Sequence, residues 1–271
     1  MNNYLHMEQE IIILGTGNAG AIHCYNTCFV LRCGDDHLLV DAGGGNGILR
    51  QLPAAGVSLD SIDTMFITHA HTDHILGAVW IARMILQYGH ARPFRVYGNS
   101  KVLHVLEFLI MQLLPKKQSS KLGDALLLCP VEDGDTFQAG HLSLTCFDIH
   151  STKEWQFGFS TTLPDGQRFT CLGDEPYNEI NEPFARNADW LMSEAFCLYA
   201  DRERFKPYEK HHSTALDAAR LASQLGVKNL ILYHTEDKTL ATRKEKYTAE
   251  AQSAFSGRVF VPNDLEHITL V

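Results

Sequence analysis

His69-Ala70-His71-Thr72-Asp73-His74 puts three imidazoles and a carboxylate into six consecutive residues, directly behind the apolar run Asp63-Thr64-Met65-Phe66-Ile67-Thr68. A short apolar run of this kind reads as a buried strand, so the polar cluster hangs on a strand's end. Neutral imidazole nitrogen and carboxylate oxygen are the usual ligands of Zn²⁺ and similar divalent ions. One short loop cannot wrap all four groups around a single tetrahedral ion. Alternation instead turns His69 and His71 toward one ion and Asp73 and His74 toward a second. With 14 histidines in 271 residues, a solvated histidine-rich loop is the bland alternative, and a metal site is the stronger reading.

The rest of the chain sets bounds on that reading. At 271 residues and 45% hydrophobic composition, it can bury a sizeable core, and we read 1–271 as one domain made of two αβ halves. The formal charge of −9 argues against a broad nucleic-acid-binding face. The start Met1-Asn2-Asn3-Tyr4-Leu5-His6-Met7-Glu8 has neither the basic residues nor the apolar core of a signal peptide. The longest apolar stretch, 102–114, contains His104, Glu107 and Gln112 and is too short to span a bilayer. A soluble, cytoplasmic protein without a membrane partner is expected. Seven scattered cysteines (Cys24, Cys28, Cys33, Cys129, Cys146, Cys171, Cys197) suit free thiols in a reducing compartment better than disulfides.

Strands are predicted over 10–14, 27–32, 37–40, 63–67 and 94–97, with helices over 74–88 and 101–114 and a loop over 115–121. A second block follows, with strands over 125–129, 141–149, 155–162, 168–172, 189–193, 228–233 and 258–261. Its helices are predicted over 214–225 and 243–255. Hairpins and helices in two successive blocks, not alternating βαβ, suit two packed sheets with helices outside. Gly15-Thr16-Gly17-Asn18-Ala19-Gly20 matches a dinucleotide-binding fingerprint. Too few residues separate it from the strand at Thr27 for the helix that fingerprint needs. It reads instead as a turn between antiparallel strands.

A two-ion site needs further ligands. His150 ends the apolar strand 142–149, Asp174 follows 169–173, and His234 ends 230–233. In each case a strand tip delivers one polar residue, as Ile67-Thr68 delivers His69. Together with Leu38-Leu39-Val40-Asp41-Ala42-Gly43-Gly44, this series resembles the metallo-β-lactamase superfamily over nearly the whole chain. The resemblance implies an α+β fold, a four-layer αββα sandwich. It implies one metal on His69, His71 and His150 and another on Asp73, His74 and His234, with Asp174 bridging. A bridging carboxylate rather than cysteine resembles the hydrolase and phosphodiesterase branches.

Lys210-His211-His212-Ser213-Thr214, followed by Gly226 to His234, is similar to ribonuclease Z and its phosphodiesterase relatives. There the histidine before Ser-Thr assists catalysis, supported by a glutamate that here matches Glu194 of Met192-Ser193-Glu194. Thr214 and Asp217 resemble a capping box, which sets His212 just ahead of a helix N-terminus, a favourable place for an anion. The long arm of many tRNA-processing members has no room in 151–173. Lys116, Lys117, Lys121, Arg202, Arg204, Lys206 and Lys210 are read mostly as solvated side chains.

The expected activity is a dinuclear metal-dependent hydrolase, first of all a phosphodiesterase, with Asp73, His212 and Glu194 catalytic. Its cofactors would be two divalent ions, zinc before manganese or iron. Its substrate would be a small or short phosphodiester, not tRNA, and a homodimer is compatible with this reading. Thioester or other ester hydrolysis, or metal-dependent ligand binding without hydrolysis, are the alternatives.

Overall fold

The computed structural model describes residues 7–271, so residues 1–6 of the N-terminal reading above lie outside it. Strands β1 (Gln9–Gly15), β2 (Cys28–Cys33), β3 (Asp36–Val40), β4 (Thr64–Phe66), β5 (Phe94–Gly98) and β6 (Leu126–Pro130) form one sheet. The second is built from β7 (Thr136–Ala139), β8 (Leu142–Asp148), β9 (Phe157–Thr162), β10 (Arg168–Cys171), β11 (Trp190–Glu194), β12 (Asn229–Tyr233) and β13 (Arg258–Phe260). The last strand, β14 (His267–Thr269), returns to pair with β1 in the first sheet.

Side-chain alternation explains the layering. Successive strand residues point to opposite faces. Ile11 and Ile13 of β1 therefore join the core between the sheets, and Ile12 and Leu14 the core on the other side. That outer core is closed by helices α1 (Ile48–Ala54), α2 (Thr72–Tyr88) and α3 (Ser100–Leu113). After the short α4 (Lys116–Ser119), α5 (Glu182–Ala185) and α6 (Arg202–Phe205), α7 (Ala215–Gln224) and α8 (Leu240–Gln252) cover the second sheet. Three apolar cores separate four layers, the αββα sandwich expected. Each fully buried large aliphatic or aromatic side chain contributes about 1.5–3 kcal/mol to it.

One expectation needs correction. In both sheets an antiparallel block leads into a parallel one: β3 to β6 run parallel, and so do β10 to β13. The chain therefore does alternate βαβ, through α1, α2 and α3 in the first half and through α5, α7 and α8 in the second. Seven-residue α1 contains Pro53 and follows a glycine-rich stretch, so its sequence looks like turns. Between β1 and β2 the chain turns without a helix, and Gly17 exchanges backbone bonds with Tyr25 and Thr27. All seven cysteines are free, five of them buried. Among the described residues no helix is long and apolar enough to cross a membrane.

Candidate functional site

The parallel strands set the site, because their C-terminal tips lie along one edge of each sheet. Beyond β4, His69 and His71 sit in a short loop, and Asp73 and His74 occupy the first turn of α2. An acidic residue there also suits the positive end of the helix dipole. Helix α2 can seat on the segment after β3 only because residue 77 is glycine. A Cβ at Gly77 would lie 1.8 Å from the Ala42 carbonyl oxygen, and Gly77 N donates to Gly43 O at 2.8 Å. That close seating brings Asp41 against His74.

From the other half, Asp174 follows β10, Glu194 ends β11 and His234 follows β12. His234 and Asp41 both adopt left-handed backbone (φ 55°), a conformation costly for residues other than glycine and concentrated at functional sites.

Two groups of ligand atoms result. Those of His69, His71 and Asp174 lie within 4.8 Å of one another, and so do those of Asp73, His74 and His234. Asp174 Oδ2 is 3.6 Å from His69 Nε2, 3.5 Å from His74 Nε2 and 3.4 Å from His234 Nε2. Asp73 Oδ2 is 3.4 Å from both His74 Nε2 and His234 Nε2. Ligands around a tetrahedral ion with bonds of 2.0–2.1 Å are about 3.3 Å apart. His74 Nε2 is buried with no hydrogen-bond partner. By donor chemistry, spacing and this orphaned nitrogen, the residues fit divalent ions.

The supporting groups fix the tautomers. His74 Nδ1 lies 2.7 Å from Asp41 Oδ2. Thr68 Oγ1 donates to the same oxygen at 2.9 Å and lies 2.9 Å from His69 Nδ1. Asp41 thus receives the Nδ1 proton of His74 directly and that of His69 through Thr68, leaving both Nε2 atoms to face the cluster. Burial opposes charge throughout. Even so, His74 holds Asp73 well below the usual carboxylate range, and His69 and His234 do the same for Asp174. Burial pushes His69 well below the ordinary imidazole value, while Asp73 and Asp41 raise His74 well above it. Two ionised carboxylates are ready ligands, and an ion would displace the His74 proton.

His150 is the one expected ligand that the structure does not bring to the cluster. It is exposed, turns out through a left-handed backbone (φ 56°), and its N–H bonds Asp148 Oδ1 at 2.7 Å. The next residue is drawn away by the bond from Ser151 Oγ to Glu175 Oε1. The side chain that reaches His69 and Asp174 from this segment is Gln156.

His212 and Glu194 do come together with His234, one ligand atom of each within 4.8 Å of the others. His212 Nδ1 is 3.5 Å from Glu194 Oε2, and its ring stacks on Phe196, centroids 4.8 Å apart and planes 10° from parallel. The capping box forms as read, with Thr214 and Asp217 bonding each other's backbone at the start of α7. His211 faces away, toward Thr152. A cavity of about 410 Å³ opens over His71, Asp73, Asp174, His212 and His234. Phe196, Phe205, Lys153 and Lys210 also line it, with Asn18, Asp237 and Lys238. Of the seven basic residues weighed from the sequence only Lys210 lines it. Lys121 caps the Leu86 carbonyl, and Lys206 pairs with Glu203. Lys153 and Gln156 carried no signal, the first a single polar residue in the loop before the predicted strand 155–162 and the second a single polar residue at that strand's start.

Residues 9–255 match the family described as Anti-Pycsar protein Apyc1. The chain belongs to that family. Ribonuclease Z of Bradyrhizobium sp. (strain ORS 278) is 25% identical to this Apyc1-family chain over 310 positions, covering 96% of the chain and 99% of that protein. Among solved structures, the metallo-β-lactamase fold protein YhfI of Bacillus subtilis is similar with a TM-score of 0.75 at 22% identity, covering 97% of this chain and 99% of that one. The short form of human tRNase Z is similar with a TM-score of 0.73 at 22% identity, covering 97% and 99%. The Apyc1-family chain thus has the metallo-β-lactamase fold and is similar in sequence to ribonuclease Z along nearly its whole length.

Proposed function

We propose that this chain is a dinuclear phosphodiesterase acting on small phosphodiesters, with zinc, or else manganese or iron, as its ions. One observation carries the reading: two ligand triads meet at Asp174 Oδ2, and the Glu194–His212 pair stands beside them. Asp73, His74 and His234 would hold one ion and His69 and His71 the other, with Asp174 shared. His150 would have to swing inward to join them. When bound, such a pair lowers the pKa of an attacking water and stabilises charge on phosphoryl oxygens.

The remaining work falls to the chain's own groups. Asp73, kept ionised by His74, would orient the attacking water while serving as a ligand. His212 would give its Nε2 proton to the leaving oxygen. Glu194 accepts the Ser213 N–H through Oε1 and keeps Oε2 for His212 Nδ1, holding the ring's orientation. Lys153 and Lys210 would attract the phosphate's negative charge.

A small substrate is supported by the cavity, whose volume of about 410 Å³ suits a small molecule. The alignment with the Bradyrhizobium enzyme is 39 positions longer than the whole chain. At least that many residues of the ribonuclease have no counterpart here, which fits the missing arm. The charge of −9 and seven free thiols fit a cytoplasmic protein that does not grip a polyanion. The test is turnover of small phosphodiesters by the metal-loaded protein, beside precursor tRNA at several salt concentrations. Salt-sensitive cleavage of the tRNA 3′ end, with no small-substrate turnover, would sink the proposal.

A further inference from the structure

Gln156 is a buried carboxamide, 1% exposed, at the threshold of β9 and against two members of the ligand cluster, His69 and Asp174. Its Nε2 hydrogen-bonds Asp174 Oδ1 and lies 2.9 Å from His69 Nδ1, while its Oε1 is buried without a partner. Which contact survives in the loaded site follows from proton bookkeeping. An ion on His69 Nε2 requires the ring proton on Nδ1, where it is donated to Thr68 Oγ1. Nδ1 then has no lone pair for Gln156. A carboxylate oxygen, by contrast, can only accept, so the Gln156 N–H belongs to Asp174 Oδ1.

We infer that Gln156 is the positioning residue of the bridging carboxylate. It ties Oδ1 down so that Oδ2 alone, the oxygen 3.4–3.6 Å from three imidazole nitrogens, spans both ion places. This rests on the dinuclear reading above and adds to it. Without the donor, Asp174 could rotate and spread its two oxygens, one to each ion, which lengthens the bridge. Partners that orient ligands in this way change metal affinity by about 10–100-fold when removed.

The test loads the full chain with Mn²⁺ alone and records its electron paramagnetic resonance spectrum, with Mn²⁺ affinity by titration. Wild type is expected to bind two ions as an exchange-coupled pair. Gln156→Met keeps the volume without the N–H. It should weaken the coupling and lower Mn²⁺ affinity by about 10–100-fold, beyond the modest drop in melting temperature that the metal-free protein shows when buried Asp174 Oδ1 loses its donor. Gln156→Glu, which sets a carboxylate against Asp174, should lose more. A wild type that binds one ion would overturn the dinuclear reading and this inference with it. Two coupled ions in wild type and an identical Gln156→Met spectrum would overturn the inference alone. So would loss of the coupling in His150→Ala with none in Gln156→Met.

Discussion

The two halves share a plan, three or four antiparallel strands leading into a parallel block with helices outside, yet they supply the site in opposite ways. The first half delivers His69, His71, Asp73 and His74 from one loop and one helical turn. The second delivers Asp174, Glu194 and His234 singly, from the ends of three neighbouring parallel strands, and His212 from the loop before α7. A contiguous cluster has its geometry fixed by local backbone. A dispersed one depends on the register of a whole sheet, so errors at any strand reach it.

Mutations separate the two contributions. Asp174→Ala, in the dispersed half, should have the largest effect. In the proposed dinuclear site both ions would lose a ligand together, and several kcal/mol of charge stabilisation with them, about 10³-fold in turnover. Elemental analysis should find both ions depleted; one ion at full occupancy would mean that Asp174 does not bridge. His212→Ala should retain both ions and slow poor-leaving-group phosphodiesters by ~10²–10⁴. An activated aryl phosphodiester should be affected much less. Equal losses on both substrates would leave His212 as a binding residue only.

Gly77→Ala probes the contiguous half without touching a ligand. The added methyl meets the Ala42 carbonyl, and relieving an overpacked contact costs about 1–3 kcal/mol. Displacing α2 moves Asp73 and His74 but not His69, so titration should show one ion weakened more than the other. Equal weakening of both would mean that the two places respond as a unit, through α2 moving with the loop before it or through the Asp41 carboxylate that serves His74 and His69 alike.

The smallest effect concerns a tie between the halves. Asp237, after β12, accepts the backbone N–H groups of Ile22 and His23 at the cavity rim. Burial works against its charge, but these bonds and Lys238 hold its carboxyl at about 2, below the ~3.9 of an unfolded aspartate. A depressed carboxyl stabilises the fold above the unfolded value, and that contribution is lost as pH falls through the folded one. Amide exchange at Ile22 and His23 should therefore quicken as pH drops from 4 to 2, relative to neighbouring amides. Asp237→Asn should remove the pH dependence; an unchanged profile in that variant would assign it to another group.

The contrast between halves also explains what could be read in advance. The cluster at 69–74 was legible because its spacing is fixed within one loop. Asp174 and His234 were legible because an apolar run ending in one polar residue marks a strand tip. His150 follows the same rule but turns outward, since a left-handed residue and the Glu175 contact, neither visible in the sequence, redirect the chain. Gln156 gave no sign, because a lone glutamine beside Phe157 looks like any exposed strand end. Strand β14 is three residues long and pairs with β1 across nearly the whole sequence, so no local pattern announces it. The parallel blocks were missed because α1 and α5, at seven and four residues, are too short to show helical periodicity.

Asp41 has a consequence of its own. One carboxylate oxygen answers to His74 and, through Thr68, to His69, so in the proposed two-ion site the first ion to arrive would fix a group that the other place also uses. A second ion would then enter a partly ordered site, and its binding would cost less ordering entropy. Loading should be cooperative, with a Hill coefficient above one. At limiting metal the population should divide into empty and fully charged molecules, with few half-filled ones between.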